Sequence, residues 1–128
     1  MSRRPLGPGD VLLARLPQLA PPGREQSGTR PVLVVALPDR VGAPRYPMIV
    51  AAPLTTQLGE WVAVSPNLYP ILEVGMGGLV RASAVMLDHV RGIDAGRVIK
   101  PLGMLSAEEY APIRASLEVM FGFRESNP

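Results

Sequence analysis

Two polar stretches hold most of the groups in this chain that could act on a bound molecule. The first is Glu25-Gln26-Ser27-Gly28-Thr29-Arg30-Pro31, which stops abruptly at the apolar run Val32-Leu33-Val34-Val35-Ala36. It brings an acid, an amide and two hydroxyls up to a guanidinium, a planar permanent cation suited to phosphate or carboxylate oxygens. A proline at the joint is tolerated only at a strand's first residue or on an edge, so Arg30 is held at the mouth of a rigid element. The second stretch, Pro53-Leu54-Thr55-Thr56-Gln57, ends another strand candidate with two hydroxyls and an amide. Taken singly, each has a plain alternative: a solvated loop before a core strand, and a polar strand end with threonine's ordinary strand propensity. Taken together, on neighbouring strands, they bring Thr55 within reach of Arg30.

The elements that must position these groups are short. Val11 to Leu16, Pro31 to Leu37 and Tyr46 to Pro53 are apolar, β-branched runs bounded by Gly and Pro, the last two forming a hairpin. Gln18 to Thr29 reads as one long loop. Trp61-Val62-Ala63-Val64 has strand composition, and Asn67 to Gly78 is too broken by Pro70, Gly75, Gly77 and Gly78 to be more than extended edge and loop. Ala82 to Ile93 reads as one longer strand, Asp94-Ala95-Gly96 as a turn, and Val98 to Leu105 as a last strand. Ser106-Ala107-Glu108-Glu109 is a capping-box pattern opening the one good helix, whose apolar stripe is Tyr110, Ile113, Leu117 and Met120. Pro112 lies past its first turn. No helical pattern separates the strands, so the fold class is mainly β with a C-terminal helix, a small, strongly bent barrel or sandwich. Residues 1–8 are expected to be a mobile basic tail, 9–123 a single domain and 124–128 a second tail.

Composition narrows the chemistry. At 128 residues, 47% hydrophobic and 19% charged, the chain can bury a core. With no cysteine, disulfides, zinc–thiolate sites and thiol nucleophiles are excluded. His89 is the one histidine, so a two-histidine ribonuclease mechanism is impossible, and with only scattered acids a metal site is not expected. The net charge of +2 hides an asymmetry: residues 1–50 hold seven arginines against three acids, while 51–128 hold six basic and eight acidic groups. No apolar run is long enough to span a membrane, and the expected compartment is the cytoplasm.

Several of these segments resemble the MazF/PemK family of toxin endoribonucleases. They are Gly9-Asp10-Val11, then Glu25 to Pro31 with its valine strand, then Pro53 to Gln57. Ser83-Ala84-Val85-Met86-Leu87-Asp88-His89-Val90-Arg91 and Leu102-Gly103-Met104-Leu105-Ser106-Ala107-Glu108-Glu109 follow in the same order. The resemblance runs from about Gly9 to Phe121. It implies an SH3-like barrel working as a homodimer, cutting single-stranded RNA at short sequences without metal or other cofactor. It also implies silencing by an antitoxin whose acidic, disordered tail fills the RNA groove. By the same resemblance Arg30 and Thr55 match the catalytic positions, and Glu25 and Gln26 match the loop covering the site. Gln26, Ser27, Gly28, Thr56 and Gln57 are expected to contact RNA.

Metal-free RNA cleavage has the 2′-hydroxyl attack its own phosphate, leaving a 2′,3′-cyclic phosphate and a 5′-hydroxyl. The charge that builds on the phosphoryl oxygens suits a guanidinium, with Thr55 as a further donor. Arginine is a poor base, so Glu25 is the candidate for the proton. His89, where relatives carry Gln, is read as structural, and Asp88 and Arg91 as packing residues that form a buried pair, with lining of a groove the alternative. Trp61 or Tyr69 could stack an unpaired base, although a packed indole is the expectation. The competing functions are a non-catalytic, gyrase-binding toxin like the CcdB relatives of the same fold, and a plain SH3-like interaction module.

Overall fold

The computed structural model describes residues 5–18, 20–21 and 23–126. Half of the basic tail expected over residues 1–8, and residues 127 and 128 of the C-terminal one, lie outside the described residues. The strands are β1 (Asp10–Leu16), β2 (Gly28–Ala36), β3 (Met48–Thr55), β4 (Ile71–Leu72), β5 (Ser83–Val85), β6 (Arg91–Asp94) and β7 (Val98–Met104). Two helices, α1 (Glu60–Val64) and α2 (Ala107–Met120), complete the chain's main elements.

All ladders are antiparallel, in the order β4-β5-β3-β2-β1-β7, with β6 also on β3. The sheet has to curl. Only the turn Ala95–Arg97 separates β6, which pairs with β3, from β7, which pairs with β1 at the far side, so the two flanks are drawn toward each other. Alternation along the strands sorts the apolar residues onto two faces. Leu12, Ala14, Leu16, Val32, Val34, Ile49, Ala51 and Ile93 pack together inside the curl. Val11, Leu33, Ala52, Leu54, Val85 and Leu87 form the other face and are covered by Ile113 and Leu117 of α2. The result is a curled half-barrel capped by a helix, the mainly β architecture the sequence implied.

Helix α2 begins as its sequence requires. The Ser106 hydroxyl accepts from the Glu109 N–H at 3.1 Å, and the Glu109 carboxylate accepts from the Ser106 N–H at 2.8 Å. Its stripe is shorter than the spacing suggests: Ile113 and Leu117 are buried, Tyr110 is half-buried, and Met120 is 41% exposed because the sheet ends before reaching it.

Two expectations need correction. Trp61-Val62-Ala63-Val64 is helical, within α1, because strand propensity is realised only against a partner, and the edge of β3 beyond Ala51 is already taken by β5. The segment from Ala82 to Ile93 is two strands, not one. Val85 lies opposite Leu54 and Arg91 opposite Ala51, so six residues advance on one chain against three on the other. The surplus is looped out as the 3-10 turn Leu87–His89, which throws Asp88 and His89 clear of the ladder.

Candidate active site

The β2–β3 register brings the two polar stretches together. Val32 pairs with Pro53, Leu33 with Ala52 and Val34 with Ala51. Continued by two residues, the same register sets Arg30 opposite Thr55. By alternation Arg30 follows Val32 and Val34, and Thr55 follows Ala51, so both continue the rows that line the curl. The site is therefore the mouth of the half-barrel, where apolar rows give way to polar ends. Gly28 opens β2 with φ +84, a left-handed conformation that glycine adopts without strain, and this turn delivers the loop onto the strand.

Gln26, Thr29, Arg30, Pro31, Leu54, Thr55, Thr56, Gln57 and Ser83 line a cleft of about 270 Å³. The Arg30 guanidinium is half-buried, its Nε donating to the Ser27 carbonyl at 3.0 Å and its Nη1 to the Leu54 carbonyl at 3.3 Å. Of five guanidinium donors, these contacts use two, and the rest are available to a ligand. Burial lowers its pKa from the ordinary arginine value, and no carboxylate pairs with it among the described residues. Thr55 is 8% exposed, and its Oγ1 accepts from the Gln57 N–H at 3.1 Å. With that lone pair occupied, the hydroxyl proton is free to be donated to a ligand.

The expected site residues do not all share this cleft. Gln26, Thr56 and Gln57 line it with Arg30 and Thr55. Ser27 contributes its carbonyl to Arg30, and Gly28 serves as the turn. Glu25 instead lines an adjoining depression of about 480 Å³, with Arg24, Gln26, Pro53, Asp88, His89, Val90 and Arg91. Gln26 borders both. Asp88 and Arg91 are not a buried pair. The Arg91 Nη1 donates to the Gln26 carbonyl at 3.4 Å, and Asp88 Oδ2 accepts from the Tyr69 hydroxyl at 2.6 Å. That hydrogen bond is the main reason the Tyr69 phenol is raised above its usual pKa, with burial and the Asp88 charge adding to it. His89 Nε2 lies 3.8 Å from Asp88 Oδ1, while its Nδ1 is buried with no hydrogen-bond partner among the described residues. Among the described residues, no three His, Asp or Glu side chains converge to hold a metal ion, and no helix is long and apolar enough to cross a membrane.

Sequence reading missed Ser83 as part of the cleft. It is 2% exposed and donates to the Arg81 carbonyl at 3.1 Å. Its neighbour Ala84 pairs with Thr55, a contact that nothing local in Ala82-Ser83-Ala84-Val85 announces.

The chain is thus a curled β half-barrel whose mouth holds a half-buried guanidinium, without a carboxylate partner among the described residues, beside a buried hydroxyl. The chain belongs to the PemK-like, MazF-like toxins of type II toxin–antitoxin systems, whose pattern it matches over residues 7–121. It is 30% identical over 111 residues to the endoribonuclease EndoA of Bacillus subtilis, covering 87% of this chain and 90% of EndoA. It is 27% identical over 114 residues to the endoribonuclease MazF of Staphylococcus saprophyticus, covering 89% of each. MazF of Deinococcus radiodurans superposes with a TM-score of 0.68 at 25% identity, covering 94% of this chain and 99% of that one. A second crystal form of that protein, with MazE, superposes at 0.64, covering 96% and 100%.

Proposed function

We infer that this toxin is an endoribonuclease that cleaves single-stranded RNA at the Arg30–Thr55 cleft, needing no metal and leaving a 2′,3′-cyclic phosphate and a 5′-hydroxyl. The observation that carries the reading is the half-buried guanidinium with no acid beside it, set across from a buried threonine whose proton is free to be donated. Fixed donors that are partly withdrawn from water stabilise the charge of a pentacoordinate phosphorane better than mobile donors in bulk solvent. The 2′-hydroxyl gives up its proton, its oxygen bonds to phosphorus, the P–O5′ bond breaks and the departing 5′-oxygen takes a proton. We assign the first proton to Glu25, which lines the adjoining depression on the loop that a bound strand would draw inward, and the 5′-oxygen takes its proton from water.

Arg24 and Arg91 share the adjoining hollow with Glu25 and Asp88, so the local positive charge is centred on Arg30, whose cleft is lined by no acid among the described residues. The same charge suits the acidic tail of an antitoxin, so inhibitor and substrate compete for one groove. A homodimer fits the apolar side chains left open at the end of α2.

The test is incubation of the purified protein with long RNA in EDTA, followed by mapping of the ends. Cyclic-phosphate ends at a recurring short sequence are expected, with Arg30→Ala slower by roughly 10²–10³-fold. Intact RNA overturns the reading and favours a non-catalytic binder, whereas an Arg30→Ala protein that cuts at the parental rate overturns the Arg30–Thr55 cleft as the site.

A further inference from the structure

The segment between Gln57 and Ser83, which follows the cleft, contains the chain's one tryptophan, a ring held by its neighbours yet partly open to solvent. Helix α1 is anchored by Val62, 7% exposed, which leaves Trp61 38% exposed beside it. Gly59 has φ −141 and ψ −173, extended backbone that any residue adopts, so no turn demands a glycine there. A Cβ at Gly59 would lie 2.8 Å from Trp61 Nε1; the glycine makes room for the indole to lie back over the segment leading from Gln57. Tyr69 meets the indole edge-on, with ring centroids 4.6 Å apart and planes at 88°. The Tyr69 hydroxyl is in turn tied to Asp88 at 2.6 Å.

We propose that Trp61 is a stacking platform for an unpaired base of the bound RNA, one step along the strand from the Arg30–Thr55 cleft. This rests on the RNA reading above and adds to it a substrate-positioning residue. Tyr69 and Gly59 hold the indole in place before any ligand arrives, so little side-chain freedom is lost on stacking. The ring is also within range. Gln57 lines the cleft, and Trp61 is four positions further along the chain, at most about 14 Å away between Cα atoms. Asp88, which braces Tyr69, borders the depression holding Arg24 and Arg91. A strand running from Arg30 toward the indole therefore starts on a fixed guanidinium and ends on an aromatic face, the pairing that single-strand binders use.

Because the chain has a single tryptophan, its fluorescence reports on this ring alone. The probe is an oligonucleotide spanning a mapped cleavage site, with 2′-deoxyribose at the cleaved position so that it binds without turnover. Saturable quenching is expected, and Trp61→Ala should raise KM about tenfold, more than it changes kcat. Trp61→Phe should recover part of that loss. Gly59→Ala, which keeps the indole but displaces it, should weaken binding in the same way. A parental protein that cleaves RNA, yet shows no quenching and an unchanged KM in Trp61→Ala, overturns the platform and leaves the nuclease standing. Absence of cleavage by the parental protein removes both.

Discussion

A guanidinium drawn partly out of water with no acid beside it costs the fold something, and Arg30 bears that cost without a structural return of similar size. Its two hydrogen bonds go to the Ser27 and Leu54 carbonyls, which solvent could satisfy as well. Arg30→Ala is therefore expected to slow cleavage by roughly 10²–10³-fold while leaving the urea midpoint unchanged or slightly higher, the pattern of a residue retained for activity. Arg30→Lys should not restore activity, since a point charge on a flexible stem reproduces neither carbonyl contact nor planar donation. At Thr55 the hydroxyl is the issue. Thr55→Ser should keep most of the rate and Thr55→Val should lose roughly 10²-fold, read as kcat in single-turnover assays. Similar losses in both would point to packing by the γ-methyl group.

Among the elements, the segment between β3 and β5 is locked onto the barrel by glycine contacts too close for any side chain. A Cβ at Gly103 of β7 would lie 2.6 Å from the Gly77 carbonyl carbon and 2.7 Å from its oxygen, and one at Gly78 would fall 2.0 Å from the Leu102 oxygen. Backbone here cannot yield as a side chain would. Gly103→Ala should cost about 1–3 kcal/mol by chemical denaturation and free the Met76–Gly78 turn to hydrogen exchange. The cap of α2 is a second measurable element: Ser106→Ala should cost about 1 kcal/mol, since it leaves the Glu109 N–H without its acceptor. Both features were written in the sequence, but differently. The Ser-x-x-Glu pattern states its own structure because both partners lie within one turn. The Gly-Met-Gly-Gly run says only that backbone is unrestricted, and its partner strand lies some 25 residues on. Trp61-Val62-Ala63-Val64 misleads for the same reason, since strand composition is silent about whether an edge is free.

At the scale of the whole molecule, open apolar surface and charge placement set how the protein meets others. Phe121 and Phe123, 51% and 82% exposed, follow α2, and beside its last turns a groove is lined by Leu68, Leu87, Val119 and Met120. Apolar surface of this kind on so small a chain is what a second copy would cover. Sedimentation of the parental protein should give a dimer and Phe123→Asp a shift toward monomer; a parental monomer at micromolar concentration counts against the homodimer. Charge is placed just as locally. Removing Arg24 or Arg91 should flatten the salt dependence of binding to uncleavable RNA by about one unit of slope each, whereas removing the distant Arg97 should leave it unchanged.

The residues themselves determined the groups that could do chemistry, the valine strands that carry them and the capped helix, because each depends on neighbours a few positions away. The family could be read as well, since its motifs are contiguous and follow in order. Only tertiary structure decided that Arg30 faces Thr55, that Glu25 opens into the next hollow, and that Asp88 and His89 are looped out of the sheet to line it. Those outcomes depend on strand register and on a three-residue surplus opposite β3, and register is set by which distant rows of side chains can share a core.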